Sequence, residues 1–130
     1  MGFIKGVNRC VAMDGIEIIS SISTLNIRNF KGIINVKSSF PTVVQDRECG
    51  IINKGGHWVC YLRDGDKKYY FDSFNKKSPL KLVRYLGNNV VYNKIRVQNY
   101  DENICGELCI KVLKLLSDGN TISKTLNLIK

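Results

Sequence analysis

The sequence has very little of several residue types on which common structural and catalytic patterns depend. It contains one histidine and two prolines among 130 residues. Its five cysteines are an odd number, form no CxxC pair and have no set of histidines near them. This argues against a disulfide framework and against a structural zinc site. We therefore expect no metal, and a reducing compartment such as the cytosol or nucleus.

Long apolar runs are also missing. Hydrophobic residues make up 44% of the chain and charged residues 24%, and no stretch is long enough to cross a bilayer. Residues 1–13 include Lys5 and Arg9 but not the apolar core that a signal peptide needs. We expect one domain spanning residues 1–130, acting as a monomer, neither secreted nor membrane-bound.

Acidic residues are scarce relative to basic ones. The chain has 20 Lys and Arg against 11 Asp and Glu, a formal net charge of +9. Between Arg63 and Arg96, nine basic residues against three aspartates give a local charge of +6. Such a surface attracts polyanions, nucleic acid first, although a solvated basic face with no partner explains it as well. No sequence-reading motif is present, so any binding to nucleic acid would be electrostatic.

Hydrophobic periodicity and turn residues predict an α+β domain with a mostly antiparallel sheet and a helix packed on it. In the first helix, Asp14 is the predicted cap, and Ile16, Ile19, Ile22 and Leu25 are predicted to share the buried face. The predicted helices are 14–25, 78–86, 105–119 and 121–129, and the predicted strands are 30–36, 57–63, 67–73, 89–92 and 94–98.

The chain is organised around Cys105, which begins the third of these helices. Leu108, Val112, Leu115 and Leu116 recur at helical spacing and would face a core, while Asp101 or Asn103 would cap the helix. A thiol in the first turn lies close to unpaired N–H groups and the positive end of the helix dipole. We expect this position to lower the pKa of the thiol and raise its reactivity. A small buried cysteine without chemistry is the alternative.

The single histidine, His57, opens the first strand of a predicted hairpin, and Asp72 ends the second. Antiparallel arms joined by the tight turn at 64–66 bring their open ends together, so the two side chains are predicted to be neighbours. A carboxylate beside an imidazole fixes its tautomer and stabilises the imidazolium. The pair is therefore a candidate base for a cysteine nucleophile, the alternative being a structural histidine.

Gln98 precedes Cys105 by seven residues, at the end of a predicted strand. Its side-chain amide and the Cys105 backbone N–H could donate to the same oxyanion. Taken alone, one glutamine at this spacing indicates little.

Together these residues resemble the adenovirus-type cysteine proteases. This adenain-like group includes proteases of virophages and large virus-like DNA transposons and shares its fold with the SUMO-specific proteases. The order His, Asp, Gln, Cys is that of the family, whereas papain-type enzymes place Gln and Cys first. The similar segments are 29–33, 40–41, 48–53, 55–59, 70–74, Gln98 and 105–109, within a resemblance that covers roughly residues 25–116.

The resemblance implies a papain-like or adenain-like fold, in which a central, mostly antiparallel sheet packs against the helix that carries the catalytic cysteine. Cys105 would be the nucleophile and His57 the general base and later the acid. Asp72 would orient His57, and Gln98 would hold the oxyanion with the Cys105 backbone N–H.

Trp58 directly follows His57, and Cys109 comes four residues after Cys105. Trp58 is interpreted as a packing residue, with shielding of the Gln98 amide as the alternative. Cys109 is interpreted as a core residue, with a resolving thiol as the alternative.

The implied function is that of a cysteine endopeptidase that cleaves after small residues such as glycine. Its substrates would be capsid precursors, in the virion and in the cytoplasm or nucleus of the infected cell. The chemistry needs no cofactor, although DNA or a peptide could act as an activator. The adenovirus enzyme takes its activating peptide through a cysteine upstream of the glutamine, and no cysteine lies between Cys60 and Gln98.

Two alternatives remain open from the sequence. One is a protease of the same fold that removes SUMO or ubiquitin-like modifiers. The other is a non-catalytic basic virion protein that binds nucleic acid, which the charge of +9 fits.

Overall fold

The computed structural model describes residues 14–35, 40, 44–98 and 104–129. They form an α+β fold, which confirms the predicted class. The helices are α1 (Gly15–Leu25), α2 (Leu80–Leu86), α3 (Cys105–Ser117) and α4 (Ile122–Ile129), and the strands are β1 (Phe30–Asn35), β2 (Arg47–Asn53), β3 (Trp58–Asp64), β4 (Lys67–Phe71) and β5 (Val90–Tyr92).

The five strands form one sheet in the order β1-β2-β3-β4-β5. The strands β2, β3 and β4 are antiparallel to one another, whereas β1 is parallel to β2 and β5 is parallel to β4. The sheet is therefore mixed, and the predicted antiparallel pairing holds for its three central strands but not for the two edge strands. At β5 the reason is the connection, because the chain crosses over through α2 before it pairs with β4, and a crossover produces a parallel pair.

The predicted strand 94–98 is also wrong. The backbone N–H groups of Val97 and Gln98 both donate to the carbonyl oxygen of Ser73, at 2.7 and 3.3 Å. Hydrogen bonds that converge on one carbonyl fix a loop rather than extend a sheet ladder. This loop brings Gln98 beside the end of β4.

Alternating side chains of β2 and β3 divide the core into two layers, as a strand buried on both faces requires. Cys49, Ile51, Cys60 and Leu62 lie in the layer shared with α3. On the opposite face, residues such as Ile52, Val59 and Tyr61 pack with Leu82 and Leu86 of α2. The sheet is thus covered by α3 on one side and α2 on the other.

Helix α3 buries Leu108, Val112 and Leu116 as predicted, but Leu113 is fully buried and Leu115 only partly. A helix covered by both a sheet and other helices buries a wider stripe than a simple amphipathic pattern suggests.

Helix α1 begins with the predicted cap. The Glu17 N–H donates to Asp14 Oδ1 at 2.9 Å, and the Asp14 N–H donates to the Glu17 carboxylate, which forms a capping box. The predicted buried face is right only at Ile22, because its buried neighbour is Ile18, while Ile16 is 78% exposed. Isoleucines occur on more than one side of this helix, so the period alone does not select the buried face.

A buried carboxylate holds the second core layer together. Glu48 is 2% exposed. It accepts the Gln45 N–H at 2.7 Å, the Tyr61 hydroxyl at 2.5 Å and the Tyr85 hydroxyl at 2.9 Å. Burial, with the hydrogen bond to Glu48 as the next cause, raises the pKa of both tyrosines, which therefore remain donors at neutral pH. Gly50 leaves room for this arrangement, because a Cβ there would lie 2.7 Å from the Tyr61 ring.

We expect Glu48→Ala to lower the free energy of unfolding by about 2–4 kcal/mol. The substitution leaves the hydroxyls of the buried Tyr61 and the half-buried Tyr85 without their acceptor and opens a cavity between them. Urea denaturation measures the change. The control is Glu17→Ala, which removes an exposed carboxylate of the α1 cap and should cost about 1 kcal/mol or less. Equal losses in the two variants would show that the buried network contributes nothing specific.

Candidate active site

His57 and Asp72 meet at the open end of the β3–β4 hairpin. The His57 Nε2 and Asp72 Oδ1 atoms are 2.6 Å apart, and both residues are buried, at 5% and 1% exposure. The predicted contact is therefore present. Because a carboxylate only accepts, Nε2–H is the donor, and Nδ1 is the ring nitrogen that can exchange a proton.

Phe74 fixes the plane of the imidazole. Its ring stacks on His57 with a centroid separation of 4.3 Å and an interplanar angle of 11°. Its backbone N–H donates to Asp72 Oδ1 at 2.9 Å, so the carboxylate is held by its own chain two residues further on. One oxygen of Asp72 thus receives two donors and is fixed in both position and direction.

Asn93 holds the backbone of Asp72, a role that the sequence analysis missed. The Asp72 N–H donates to Asn93 Oδ1 at 3.0 Å, and Asn93 Nδ2 donates to the Asp72 carbonyl oxygen at 2.6 Å. Asn93 is 3% exposed and follows β5 directly. The Asn93 amide therefore pairs with both the N–H and the C=O of Asp72. It takes the place of the backbone partner that a longer β5 would have provided. In the sequence, the only indication of this role is that a polar residue directly follows a short predicted strand.

Lys54 brings a positive charge near Asp72, and the sequence analysis missed this residue as well. Its Nζ lies 3.9 Å from Asp72 Oδ2 and donates to the Lys77 carbonyl oxygen at 2.7 Å. The lysine belongs to the turn between β2 and β3. It therefore links that turn to the segment after β4 and places a positive charge near the buried carboxylate.

Cys105 is the first residue of α3 and is fully buried. The residue that caps the helix is Ile104, which offers no side-chain acceptor. The predicted caps, Asp101 and Asn103, lie outside the described residues. The Trp58 backbone N–H points to Cys105 Sγ at an N···S distance of 3.3 Å. The sulfur therefore lies beside the residue that follows His57 in the chain.

The same helix is fixed to β3 one turn further along. Cys109 Sγ donates to the Trp58 carbonyl oxygen at 3.4 Å, and Cys60 Sγ donates to the Cys109 carbonyl oxygen at 3.8 Å. Trp58 and Cys109 are both buried in the core layer beneath α3, which confirms the packing interpretation of each. These contacts hold the start of α3 against the start of β3.

The oxidation state of Cys105 differs from the sequence expectation. Cys105 is disulfide-bonded, whereas Cys49, Cys60 and Cys109 are free thiols. The fifth cysteine of the sequence, Cys10, lies outside the described residues. A sulfur in a disulfide cannot act as a thiolate, so nucleophilic chemistry at Cys105 requires reduction first.

Gln98 is 3% exposed and is attached to Ser73, the residue after Asp72. The Ser73 hydroxyl donates to Gln98 Oε1 at 2.6 Å. With its oxygen bound in this way, the amide directs its NH₂ group away from Ser73. Because Ser73 directly follows Asp72 in the chain, this hydrogen bond links Gln98 to the His57–Asp72 pair. Ser73 is therefore a positioning residue, and the sequence analysis missed it.

Compared with models of known protein families and with curated protein sequences, the chain matches none. Within the described residues, no helix is long and apolar enough to span a membrane. In that part of the chain, no group of three or more His, Cys, Asp or Glu side chains could hold a metal ion.

Proposed function

We propose that this protein is a cysteine endopeptidase of the adenovirus type, with the corresponding papain-like or adenain-like fold. It hydrolyses peptide bonds after small residues such as glycine, and its substrates are virion precursor proteins. The observation that carries the proposal is the buried His57–Asp72 contact at the end of β3, next to the helix that begins at Cys105.

The first half of the reaction forms an acyl-enzyme. The Cys105 thiolate attacks the carbonyl carbon of the scissile peptide, and a C–S bond forms as the carbonyl electrons move to oxygen. The Gln98 amide and the Cys105 backbone N–H donate to that oxyanion. The protonated His57 then gives its proton to the leaving nitrogen, the C–N bond breaks, and a thioester remains on Cys105.

The second half releases the product. His57, now neutral, takes a proton from water, and the hydroxide formed attacks the thioester carbon. The C–S bond breaks, the carboxylic acid leaves, and the sulfur departs as a thiolate beside the protonated imidazole. Asp72 serves both halves, because its negative charge stabilises the imidazolium that each of them requires.

The environment of the pair fits this role. The Phe74 ring covers one face of His57 and limits its rotation. With Nε2 bound to Asp72, Nδ1 is the ring nitrogen that exchanges a proton in the proposed reaction, and the position of Cys105 at a helix start favours a thiolate once the disulfide is reduced. Cys105 is as buried as Cys49 and Cys60, and its place at the start of α3 is what distinguishes it. On the strands, burial raises the pKa of Cys49 to about 12 and that of Cys60 well above its ordinary value.

The disulfide on Cys105 and the net charge of +9 favour one alternative of a different class, a basic protein that binds nucleic acid without catalysis. In that case the cysteine would serve structure alone. A reactive thiol after reduction supports the enzyme, and an inert one supports the binding protein.

The test is labelling with a peptide that ends in glycine and carries an electrophile, before and after treatment with dithiothreitol. We expect one adduct per chain, located at Cys105 by fragment mass spectrometry, and only after reduction. At pH 7 a thiol with a pKa of about 12 is ionised in only about one molecule in 10⁵, so Cys49 should stay unlabelled.

The control and a substrate comparison complete the experiment. Cys105→Ser should take up no label under the same conditions. Labelling of the reduced protein elsewhere, or not at all, would contradict the proposal. Faster cleavage of a ubiquitin or SUMO conjugate than of a short virion-type peptide would assign the modifier-protease activity instead.

A further inference from the structure

Asn93 makes a third hydrogen bond that reaches beyond Asp72. Besides its two contacts with the Asp72 backbone, Asn93 Nδ2 donates to the Ile95 carbonyl oxygen at 3.0 Å. A side-chain amide has two N–H donors, and here each of them has an acceptor. Exchanging the oxygen and nitrogen of this amide would set two donors against each other at the Asp72 N–H, so its orientation is fixed. One buried side chain therefore joins the end of β4 to the segment that follows β5.

The segment that includes Ile95 is the loop that carries Gln98. Further along, this loop is bound to Ser73, whose carbonyl oxygen accepts the Val97 and Gln98 N–H groups. The Ser73 hydroxyl also donates to Gln98 Oε1. The loop is thus fixed twice against the end of β4, through Asn93 near its start and through Ser73 near its end.

The two residues at the end of β4 hold both groups that the proposed reaction needs beside the thiolate. The Asp72 carboxylate binds His57, and Ser73 binds the glutamine that would donate to the oxyanion. The Asp72 carbonyl oxygen accepts from Asn93 and also from the Asn75 N–H at 2.8 Å, which uses both of its lone pairs. The backbone from which the carboxylate projects is therefore held from two sides.

We propose that Asn93 is a positioning residue, which sets the place and direction of the His57–Asp72 pair relative to Gln98. It acts through the backbone of Asp72 and through the loop at Ile95, not by touching the reacting atoms. A displacement of about 1 Å in such a group can cost about 10²-fold in rate. The kinetic part of this inference rests on the proposed protease function, whereas the control of the His57–Asp72 contact by Asn93 does not.

The test compares Asn93→Ala with wild type by two measurements on the reduced full chain. His57 is the only histidine of the sequence, so the ¹H–¹⁵N signals of a single imidazole report its hydrogen bond to Asp72. We expect the variant to shift or broaden the Nε2–H signal, because the carboxylate loses its fixed backbone. We also expect kcat toward a peptide with glycine before the cleaved bond to fall about 10–100-fold, with KM within about threefold.

Glu48→Ala and Lys94→Ala are the matched controls. Glu48 is buried opposite Arg63, at the end of β3 away from His57, so its loss lowers stability without reaching the site. Lys94 is the exposed neighbour of Asn93 in the chain. Both variants should keep the wild-type imidazole signal and a kcat within about twofold in the folded fraction.

A folded Asn93→Ala variant with the wild-type imidazole signal would overturn the inference, as would an equal change of that signal in Glu48→Ala. A changed signal with wild-type kcat would overturn its kinetic part. If Asn93→Ala does not fold, Asn93→Asp decides, because a carboxylate still accepts the Asp72 N–H but cannot donate to the Asp72 and Ile95 carbonyl oxygens. If the variant changes the signal but the wild type cleaves no peptide, the control of His57 by Asn93 stands and the proposed function fails.

Discussion

After reduction, the Cys105→Ala variant is expected to lose at least about 10⁴-fold in kcat/KM toward a peptide with glycine before the cleaved bond. Without the sulfur no acyl-enzyme forms, and His57 alone has no nucleophile to activate. The measurement is cleavage of a fluorogenic peptide by wild type and variant in the same concentration of dithiothreitol. The wild type should be inactive before the reductant is added, because its Cys105 is disulfide-bonded.

Cys49→Ala is the matched control for this prediction. Cys49 is as buried as Cys105 but lies on β2, where its thiol donates to the Arg28 carbonyl oxygen at 3.6 Å. Its loss should lower stability modestly and leave kcat/KM of the folded fraction within about twofold, as expected for a small buried group remote from the chemistry. Comparable losses in both variants would show that cysteine removal acts through folding, and activity in reduced Cys105→Ala would exclude it as the nucleophile.

The parts of the structure that local sequence determines could be predicted. Asp14 followed by Glu17 three residues later specified the start of α1. The turn at 64–66 set the β3–β4 hairpin, and with it the approach of His57 to Asp72. In each case the residues that determine the structure lie within a few positions of one another, and only one local structure fits them. The helix that begins at Cys105 was predicted for the same reason, since its apolar spacing is unambiguous.

The parts that depend on distant chain segments could not be predicted. Asn93 reaches Asp72 only because β5 pairs with β4 in parallel after a crossover. The Ser73 hydroxyl donates to Gln98, which lies in a loop that the sequence predicts to be a strand. Lys54 approaches Asp72 from the turn of another hairpin. No periodicity encodes these contacts, and the sequence alone does not reveal that Cys105 is in a disulfide.

Asp72→Asn is expected to lower kcat/KM by about 10²–10⁴-fold while the protein stays folded. Asparagine keeps the size of the side chain but removes the negative charge that stabilises the imidazolium. Its amide also fits the site poorly. If NH₂ takes the Oδ1 position it faces the N–H groups of His57 and Phe74, and in the other orientation it faces the Lys54 ammonium, which lies 3.9 Å from Oδ2. Steady-state kinetics of the reduced variant measure the loss.

The control for the charge is Asp66→Asn, which removes an exposed carboxylate from the turn of the same hairpin and should leave kcat/KM within about twofold. A second comparison separates catalysis from folding. If Asp72 acts through the imidazolium, the loss should appear mainly in kcat rather than KM, because the substrate does not touch the carboxylate. It should also exceed any loss that the change in unfolding free energy can explain. A folded Asp72→Asn variant with wild-type kcat would show that the His57–Asp72 contact is only structural. The proposed mechanism would then have no group that supports its general base.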